Sequence, residues 1–238
     1  MSYGTLYLVP APLGEGSLDT ILPADVRGTA NRIQHWVVEN AKTARRFLKL
    51  YGPERVISEL VMQDLNEHTK PAELAALLAP LLAGHDVGVI SEAGCPGIAD
   101  PGANLVRLAH ARGIRVVPLV GPSSILLALM AAGASGQRFR FHGYLPVDAA
   151  PRSERLRELE RDSARLDEAQ LFIETPYRND ALIDALLQAC RGTTMLTVAR
   201  DLTTADELVI SRPLTQWKTD ARPDLKKRPA MFVLYAGK

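Results

Sequence analysis

The chain has 238 residues, which is enough for one large domain or two small ones with a substantial buried core. Its net charge of +1 excludes the strongly basic field of many nucleic-acid-binding proteins, although a local basic patch can still contact RNA. Cys95 and Cys190 lack metal-ligand spacing, so we expect neither a disulfide framework nor a bound metal. Because no apolar leader or membrane-length apolar run is present, we expect a cytoplasmic protein without a membrane partner.

The first half of the chain alternates strand and helix patterns. Short apolar runs that predict strands occur at residues 5–9, 33–38, 55–58, 86–90 and 114–119. Helical spacing occurs at residues 74–82 and 103–111, and Asp100 with Pro101 supplies an N-cap and a first-turn proline for the second of these helices. Strands that alternate with helices predict a parallel sheet covered on both faces.

The second half of the chain has a different pattern. Residues 138–144 alternate polar and apolar side chains, which predicts an antiparallel strand with one solvated face. Further strands are predicted at residues 171–174, 195–199, 207–210 and 230–235. The last two have no long helical crossover, so we expect a mixed sheet. The expected fold class is therefore α/β with two domains, residues 1–119 and residues 120–238.

The stretch most informative about function is residues 87–102, VGVISEAGCPGIADPG. A buried strand leads here into a rigid loop with three glycines, two prolines and two carboxylates. Such a loop at the carboxyl end of a parallel strand lets a ligand approach the backbone closely, and a plain strand-to-helix connection is the alternative. Similar loops occur at residues 10–16 and 121–124. The glycine patterns of dinucleotide-binding and P-loop proteins are absent from the sequence.

Five segments carry a resemblance to a known family: residues 6–14 (LYLVPAPLG), 91–102 (SEAGCPGIADPG), 117–123 (VPLVGPS), 172–178 (FIETPYR) and 199–203 (ARDLT). Together they resemble the class III, tetrapyrrole-methylase-like methyltransferases that use S-adenosylmethionine. They are most similar to the 16S ribosomal RNA cytidine 2′-O-methyltransferase branch, of which this chain would be a shorter, divergent paralogue. The resemblance implies a parallel-sheet N-domain, a mixed-sheet C-domain and a cofactor cleft between them. It also implies a homodimer that acts on RNA or a ribosomal subunit, and not on DNA.

The resemblance further implies which residues bind S-adenosylmethionine. Carried over by position, they are Pro12, Leu13, Ser91, Glu92, Ala93, Gly94, Ser123, Ser124, Ile173, Leu202, Ala230 and Met231. An adenosine and a methionine chain need apolar walls and a few backbone hydrogen bonds rather than a phosphate cradle, which suits these residue types. Methyl transfer then requires in-line positioning in a dry site.

The chain departs from that branch around the implied cleft. Residues 38–42 are VENAK instead of Ala-Glu-Asp-Thr-Arg, residues 63–67 are QDLNE instead of His-x-His-Asn-Glu, and Glu92 replaces an aspartate. A 2′-hydroxyl is a poor nucleophile at neutral pH, so its methylation requires a base or a cation that stabilises the developing alkoxide. The candidates for this chemistry are Glu39, Lys42, Glu67, Glu174 and Arg178. For the first three the alternative is a solvated loop residue, and for Glu174 it is a helix N-cap.

Three functions from different classes remain open from the sequence. The first is a methyltransferase acting on an RNA hydroxyl or base, with ribosomal RNA 2′-O-methylation as the closest analogy. The second is a methyltransferase acting on a small molecule such as a tetrapyrrole. The third is a catalytically silent S-adenosylmethionine-binding protein, which the altered residues around the implied cleft would suit.

Overall fold

The computed structural model describes residues 2–16, 18–66 and 69–237. The chain forms two compact units, residues 1–123 and residues 124–238. The strands are β1 (Leu6–Leu8), β2 (His35–Val38), β3 (Val61–Asp64), β4 (Val87–Ile90), β5 (Val116–Pro118), β6 (Phe139–Tyr144), β7 (Ala169–Ile173), β8 (Met195–Arg200), β9 (Leu208–Pro213) and β10 (Ala230–Tyr235). The helices are α1 (Leu18–Ile21), α2 (Ala24–Arg32), α3 (Ala41–Tyr51), α4 (Pro71–Ala76), α5 (Ala79–Leu82), α6 (Ala103–Ala111), α7 (Ser124–Ala132), α8 (Ala149–Leu166), α9 (Asn179–Ala189) and α10 (Leu214–Thr219). In the part of the chain described, no helix has both the length and the apolar composition to cross a membrane.

The first unit contains a five-stranded parallel sheet with the order β3-β2-β4-β1-β5. Trp36, Val38 and Ile90 pack with α2 and α3 in one apolar cluster. Val37 and Val89 pack with α4, α5 and α6 in another. Because successive side chains of a strand point to opposite faces, a strand covered on both sides is apolar throughout, as β4 is. The predicted parallel sheet with helices on both faces is confirmed.

The second unit contains a mixed sheet with the order β6-β7-β10-β8-β9, as predicted. Only β6 and β7 pair in parallel, and the remaining pairs are antiparallel. The rings of Phe172 and Phe232 stack with centroids 5.9 Å apart and pack with residues of α8, α9 and α10. The Ser211 hydroxyl accepts a hydrogen bond from Thr197 and donates one to the Ala132 carbonyl at the end of α7. This places α7 on the Thr197 face of the sheet, away from the two phenylalanines.

Two predicted strands differ in the structure. Residues 57–59 form a 3₁₀ helix, and the strand predicted at residues 55–58 is instead β3, which begins at Val61. Because β3 is an edge strand whose two end residues are exposed and whose two central residues are only half-buried, its apolar signal is weak. The strand β6 is parallel to its neighbour and not antiparallel, because α8 supplies the crossover between β6 and β7. Strand direction depends on this distant pairing and not on local alternation.

Two predicted helix features were also wrong in detail. The pattern at residues 74–82 is divided between α4 and α5, since Pro80 has no N–H to continue the helix from α4. Asp100 and Pro101 do not open α6, whose N-cap is Gly102. Gly102 has φ of +140°, a conformation outside the helical range, so the helix cannot extend back to Pro101. Asp100 is thereby left in the loop, where its carboxyl group is available for another role.

Candidate functional site

The loops that follow β1, β4 and β5 pack against one another at the carboxyl edge of the first sheet. Ala11 and Gly94 form an isolated antiparallel bridge, with N–H to O=C distances of 2.8 and 3.0 Å in the two directions. Gly121 lies so close to the Pro10 ring that an added Cβ would overlap it. The three loops that the sequence marked as ligand-binding therefore form one continuous structure.

The topology of the first sheet makes this edge a suitable place for a ligand. β1 and β4 are neighbours in the sheet. After β1 the chain continues to α2, which packs in the apolar cluster that contains Trp36. After β4 it continues to α6, which packs in the cluster that contains Val37, on the opposite face of the sheet. Open α/β sheets bind ligands where the connections from two adjacent strands separate in this way, because the loops diverge and leave a crevice.

Gly94 is buried between the neighbouring loops, in a backbone conformation that favours glycine. Its φ is +69°, and an added Cβ would lie 3.3 Å from Leu13 Cδ2 and 3.6 Å from the Pro122 carbonyl oxygen. A larger residue would therefore be strained and crowded. The predicted cofactor residues of the two bridged loops lie together here: Pro12, Leu13, Ser91, Glu92, Ala93 and Gly94. Ser123 follows in the loop after β5.

An apolar cavity of about 390 Å³ lies at the same edge of the first unit. Its walls include Leu8, Ile98, Val106 and Pro118, with Cys95 at the loop. The volume and lining match the usual properties of small-molecule sites. Together with the bridged loops at Gly94, the cavity fits the adenosine or the methionine chain of S-adenosylmethionine, which needs apolar walls and no phosphate cradle.

A second pocket of the first unit, of about 620 Å³, is acidic. It is lined by Glu39, Asn40, Asn66, Glu92, Ala99, Asp100 and Pro101. Burial, which is the largest cause, and the charges of Glu39 and Glu92 together raise the pKa of Asp100 to about 6, against the opposing effect of a hydrogen bond with Ser91. A carboxylate with this pKa is ionised at neutral pH and is a stronger base than an ordinary aspartate.

The start of α3 holds one wall of this acidic pocket. The Asn40 side chain caps the helix by accepting hydrogen bonds from the backbone N–H groups of Lys42, at 2.9 Å, and Thr43, at 3.2 Å. The Thr43 hydroxyl donates to Glu92 Oε1 at 3.0 Å, which joins the helix to the β4 loop. The Lys42 side chain is exposed and is not among the residues that line the pocket. The predicted site residue Glu67 lies outside the described residues.

The second unit has its own polar cluster, immediately after β7. Glu174 Oε1 accepts hydrogen bonds from the Thr175 N–H at 2.6 Å and from Arg178 Nε and Nη2 at 3.0 and 2.6 Å. The Glu174 side chain is only 1% exposed, and its Oε2 is buried without a hydrogen-bond partner among the described residues. Because such an oxygen is costly to leave unsatisfied, it is suited to accept a hydrogen bond from a ligand.

The remaining predicted cofactor residues belong to the second unit. Ile173 pairs with Met231, and Ala230 pairs with Arg200, so the carboxyl ends of β7 and β8 and the start of β10 share one edge. Leu202 is buried just beyond β8. Ser124 is the first residue of α7. The structure thus brings four of these residues to the edge where Glu174 lies.

Sequence reasoning did not place Asp100 among the site residues, although it recognised the loop. The signal was the second carboxylate of residues 91–102, which was interpreted as a helix cap. Among residues 2–16, 18–66 and 69–237, no group of three or more histidine, cysteine, aspartate or glutamate side chains is arranged to hold a metal ion.

Sequence comparisons relate the chain to named methyltransferases. The family model described as Tetrapyrrole (Corrin/Porphyrin) Methylases matches residues 5–217. Ribosomal RNA small subunit methyltransferase I of Pseudomonas aeruginosa is 34% identical over 238 residues, which covers 100% of this chain and 80% of that protein. The protein of the same name from Vibrio cholerae is 29% identical over 245 residues and covers 98% and 77% of the two chains.

Solved structures with the same fold are also methyltransferases. The methyltransferase CobJ matches with a TM-score of 0.63 at 18% identity, covering 99% of this chain and 94% of that one. Uroporphyrin-III C-methyltransferase from Thermus thermophilus, solved with S-adenosylhomocysteine, matches with a TM-score of 0.54 at 18% identity, covering 98% and 97%. At such identities these likenesses show the fold, whereas the family model and the Pseudomonas aeruginosa relative show the family. The chain belongs to the tetrapyrrole methylase family and is a methyltransferase that uses S-adenosylmethionine.

Proposed function

We propose that this methyltransferase modifies ribosomal RNA of the small subunit and that its acceptor is a ribose 2′-hydroxyl. The observation that carries the proposal is Asp100, a carboxylate whose pKa is raised to about 6 in a pocket of about 620 Å³. A hydroxyl acceptor needs such a base, because the neutral hydroxyl is a poor nucleophile. The relatives named ribosomal RNA small subunit methyltransferase I support RNA as the substrate class.

In the proposed reaction the chain supplies a base and a positioned acceptor. S-adenosylmethionine supplies an activated methyl group when it is bound. When the methyl group passes from the sulfonium sulfur to the acceptor oxygen, S-adenosylhomocysteine would be released and the Asp100 carboxylate would take up the hydroxyl proton. The charges of Glu39 and Glu92 favour proton uptake by Asp100, and Thr43 fixes Glu92 through its hydroxyl. General-base catalysis of this kind typically accelerates a reaction by about 10²- to 10⁴-fold.

The other site residues receive supporting roles in this proposal. The bridged loops with Gly94 and the apolar cavity of the first unit would hold the cofactor. Glu174 Oε2 would accept a hydrogen bond from a bound ligand, and Arg178 would hold the Glu174 carboxyl group in place. Lys42, exposed at the start of α3, is suited to contact an RNA phosphate.

We also propose a homodimer that acts in the cytoplasm, where ribosomal subunits mature. An apolar patch on α7 supports a self-associating surface, because Leu126 is 51% exposed and Met130, one turn later, is 78% exposed. A twofold pair of such patches would bury both without any charged contact. Light scattering should give the mass of a dimer for the unmodified chain and a smaller mass for Met130→Glu.

The proposed function is tested by offering the protein several methyl acceptors in parallel. Purified protein and S-adenosylmethionine with a radiolabelled methyl group are incubated with small ribosomal subunits that carry unmethylated RNA, with transfer RNA and with a tetrapyrrole. Label in small-subunit RNA alone is expected. Label in the tetrapyrrole would make this a small-molecule enzyme. Binding of S-adenosylhomocysteine without transfer to any acceptor would indicate a silent cofactor-binding protein.

A further inference from the structure

An exposed tyrosine in the second unit lies beside two exposed lysines. Tyr177 is 78% exposed, and Lys226 and Lys227 are exposed as well. The backbone N–H of Lys227 donates to the Pro176 carbonyl at 3.2 Å, which joins the lysine loop to the residue before Tyr177. We call Tyr177, Lys226 and Lys227 the Tyr177 patch. The reaction assigned above to Asp100 makes no use of these three side chains.

A buried asparagine holds the two loops of the Tyr177 patch together. Asn179 is 1% exposed, and its Nδ2 donates to the Leu225 carbonyl at 3.1 Å and to the Arg228 carbonyl at 2.9 Å. These two carbonyls flank Lys226 and Lys227 in the chain. The lysines therefore project from a loop whose backbone is fixed at both ends, so binding costs little additional backbone entropy in this loop.

The charges around the patch leave the lysines available to a partner. Arg228 is already engaged with Asp201 at 3.1 Å and Asp206 at 2.7 Å. The Asp224 carboxylate accepts a hydrogen bond from the Lys226 backbone N–H at 3.0 Å. Within the described chain no carboxylate forms an ion pair with the Lys226 or Lys227 ammonium group. The two ammonium groups attract a partner with several negative charges, and the exposed aromatic ring beside them can stack on planar groups of the same partner.

We propose that the Tyr177 patch binds a single-stranded segment of RNA, with Tyr177 stacked on an unpaired base and the two lysines on neighbouring phosphates. The inference rests on the proposed function, because it takes RNA as the substrate class. Aromatic stacking together with phosphate contacts is the usual way in which proteins hold single strands. A duplex hides its base faces within the stack, so the patch favours single strands over duplexes.

The test measures binding of the full chain to a fluorescently labelled 16-nucleotide single-stranded RNA by anisotropy at several salt concentrations. Tyr177→Ala is expected to weaken binding about tenfold, and Tyr177→Phe is expected to retain it, because the ring and not the hydroxyl stacks. The double variant Lys226→Ala/Lys227→Ala is expected to reduce the slope of log K against log salt by about 1.4, or about 0.7 for each lost phosphate contact.

Matched variants separate these effects from a general loss of charge or aromatic surface. Lys49→Ala/Lys218→Ala removes the same charge from two exposed lysines elsewhere, and Tyr3→Ala removes another exposed tyrosine. Both controls are expected to bind RNA like the unmodified chain. In methyl-transfer assays, Tyr177→Ala is expected to raise KM for RNA about tenfold while KM for S-adenosylmethionine stays constant.

The outcomes distinguish this inference from the proposed function. If the unmodified chain methylates small-subunit RNA but the Tyr177 and lysine variants bind and react like the controls, the Tyr177 patch is not the RNA surface and the proposed function stands. If the unmodified chain neither binds RNA nor methylates it, both are wrong. Equal weakening by the patch variants and by their controls would also overturn the inference, because binding would then depend only on overall charge.

Discussion

Asp100 and Glu39 line the same pocket of the first unit, and the charge of Glu39 adds to the burial that raises the pKa of Asp100 to about 6. Asp100 comes from the loop after β4 and Glu39 from the end of β2, two strands that pair side by side. The parallel sheet therefore brings together two carboxylates that are distant in sequence. Their mutual repulsion is relieved when Asp100 takes up a proton, which is the step assigned to it.

The pH dependence of the reaction should report this pair. We expect kcat/KM to rise with pH and to level off above a midpoint near the Asp100 pKa of about 6, since only the ionised carboxylate can accept a proton. Glu39→Gln removes a neighbouring negative charge and should move the midpoint to lower pH. Glu154→Gln, a change at an exposed glutamate of α8, should leave it in place. A midpoint that does not respond to Glu39→Gln would remove Asp100 as the base.

The same pKa has a consequence for stability. Between the ordinary aspartate pKa of 3.8 and about 6, the folded protein holds more protons on this group than the unfolded chain does. The contribution of Asp100 to folding is therefore most favourable below this window and declines as the pH rises through it. The asparagine of Asp100→Asn stays neutral at every pH. The melting temperature of this variant minus that of the unmodified protein should therefore increase as the pH rises from 4 to 7. A constant difference over this range would contradict the raised pKa.

Cofactor binding should depend on the absence of a side chain at Gly94. Gly94→Leu is expected to weaken S-adenosylhomocysteine binding at least tenfold in calorimetric titrations, because the side chain would crowd Leu13 and fill the approach to the loop. Gly113 provides a matched control. It has the same φ of +69° but nothing within 4 Å of an added Cβ, so Gly113→Leu introduces similar backbone strain away from the loops. Equal losses in both variants would attribute the effect to strain and not to the site.

The pair formed by Glu174 and Arg178 should contribute measurably to stability. Arg178→Ala leaves a buried carboxylate without its cation and is expected to cost about 1–3 kcal/mol in the free energy of unfolding by urea. Arg178→Lys should recover only part of this, because an ammonium group cannot form the two-pronged contact of a guanidinium. Arg165→Ala breaks an exposed pair with Asp162 and should cost less than about 1 kcal/mol. Similar losses for Arg178→Ala and Arg165→Ala would show that the buried Glu174 pair stabilises the fold no more than an exposed pair does.

The sequence predicted the elements whose signal is local. The helix expected at residues 103–111 is α6 with the same bounds, because its apolar spacing is regular and Gly102 ends the preceding loop. The direction of β6 could not be predicted, since it depends on pairing with β7 after an 18-residue helix. The displaced β3 shows the same limit, because an edge strand with partly exposed side chains carries little apolar pattern.

The candidate site was predictable in its loops and less so in its chemistry. The resemblance marked residues 91–102, and the structure joins them to the loop after β1 through Ala11 and Gly94. It did not single out Asp100, whose role depends on burial and on the charge of Glu39, a residue about 60 positions away in the sequence. The Tyr177 patch likewise requires the Asn179 contacts, which link segments separated by more than 40 residues.

The most direct test of the central claim is mass spectrometry of nucleosides from small-subunit ribosomal RNA after reaction with S-adenosylmethionine. The unmodified chain should produce a 2′-O-methylated nucleoside, and Asp100→Asn should produce it at least about 10²-fold more slowly while binding S-adenosylhomocysteine normally. Absence of a 2′-O-methylated nucleoside with the unmodified chain, or equal rates for the two proteins, would contradict the account.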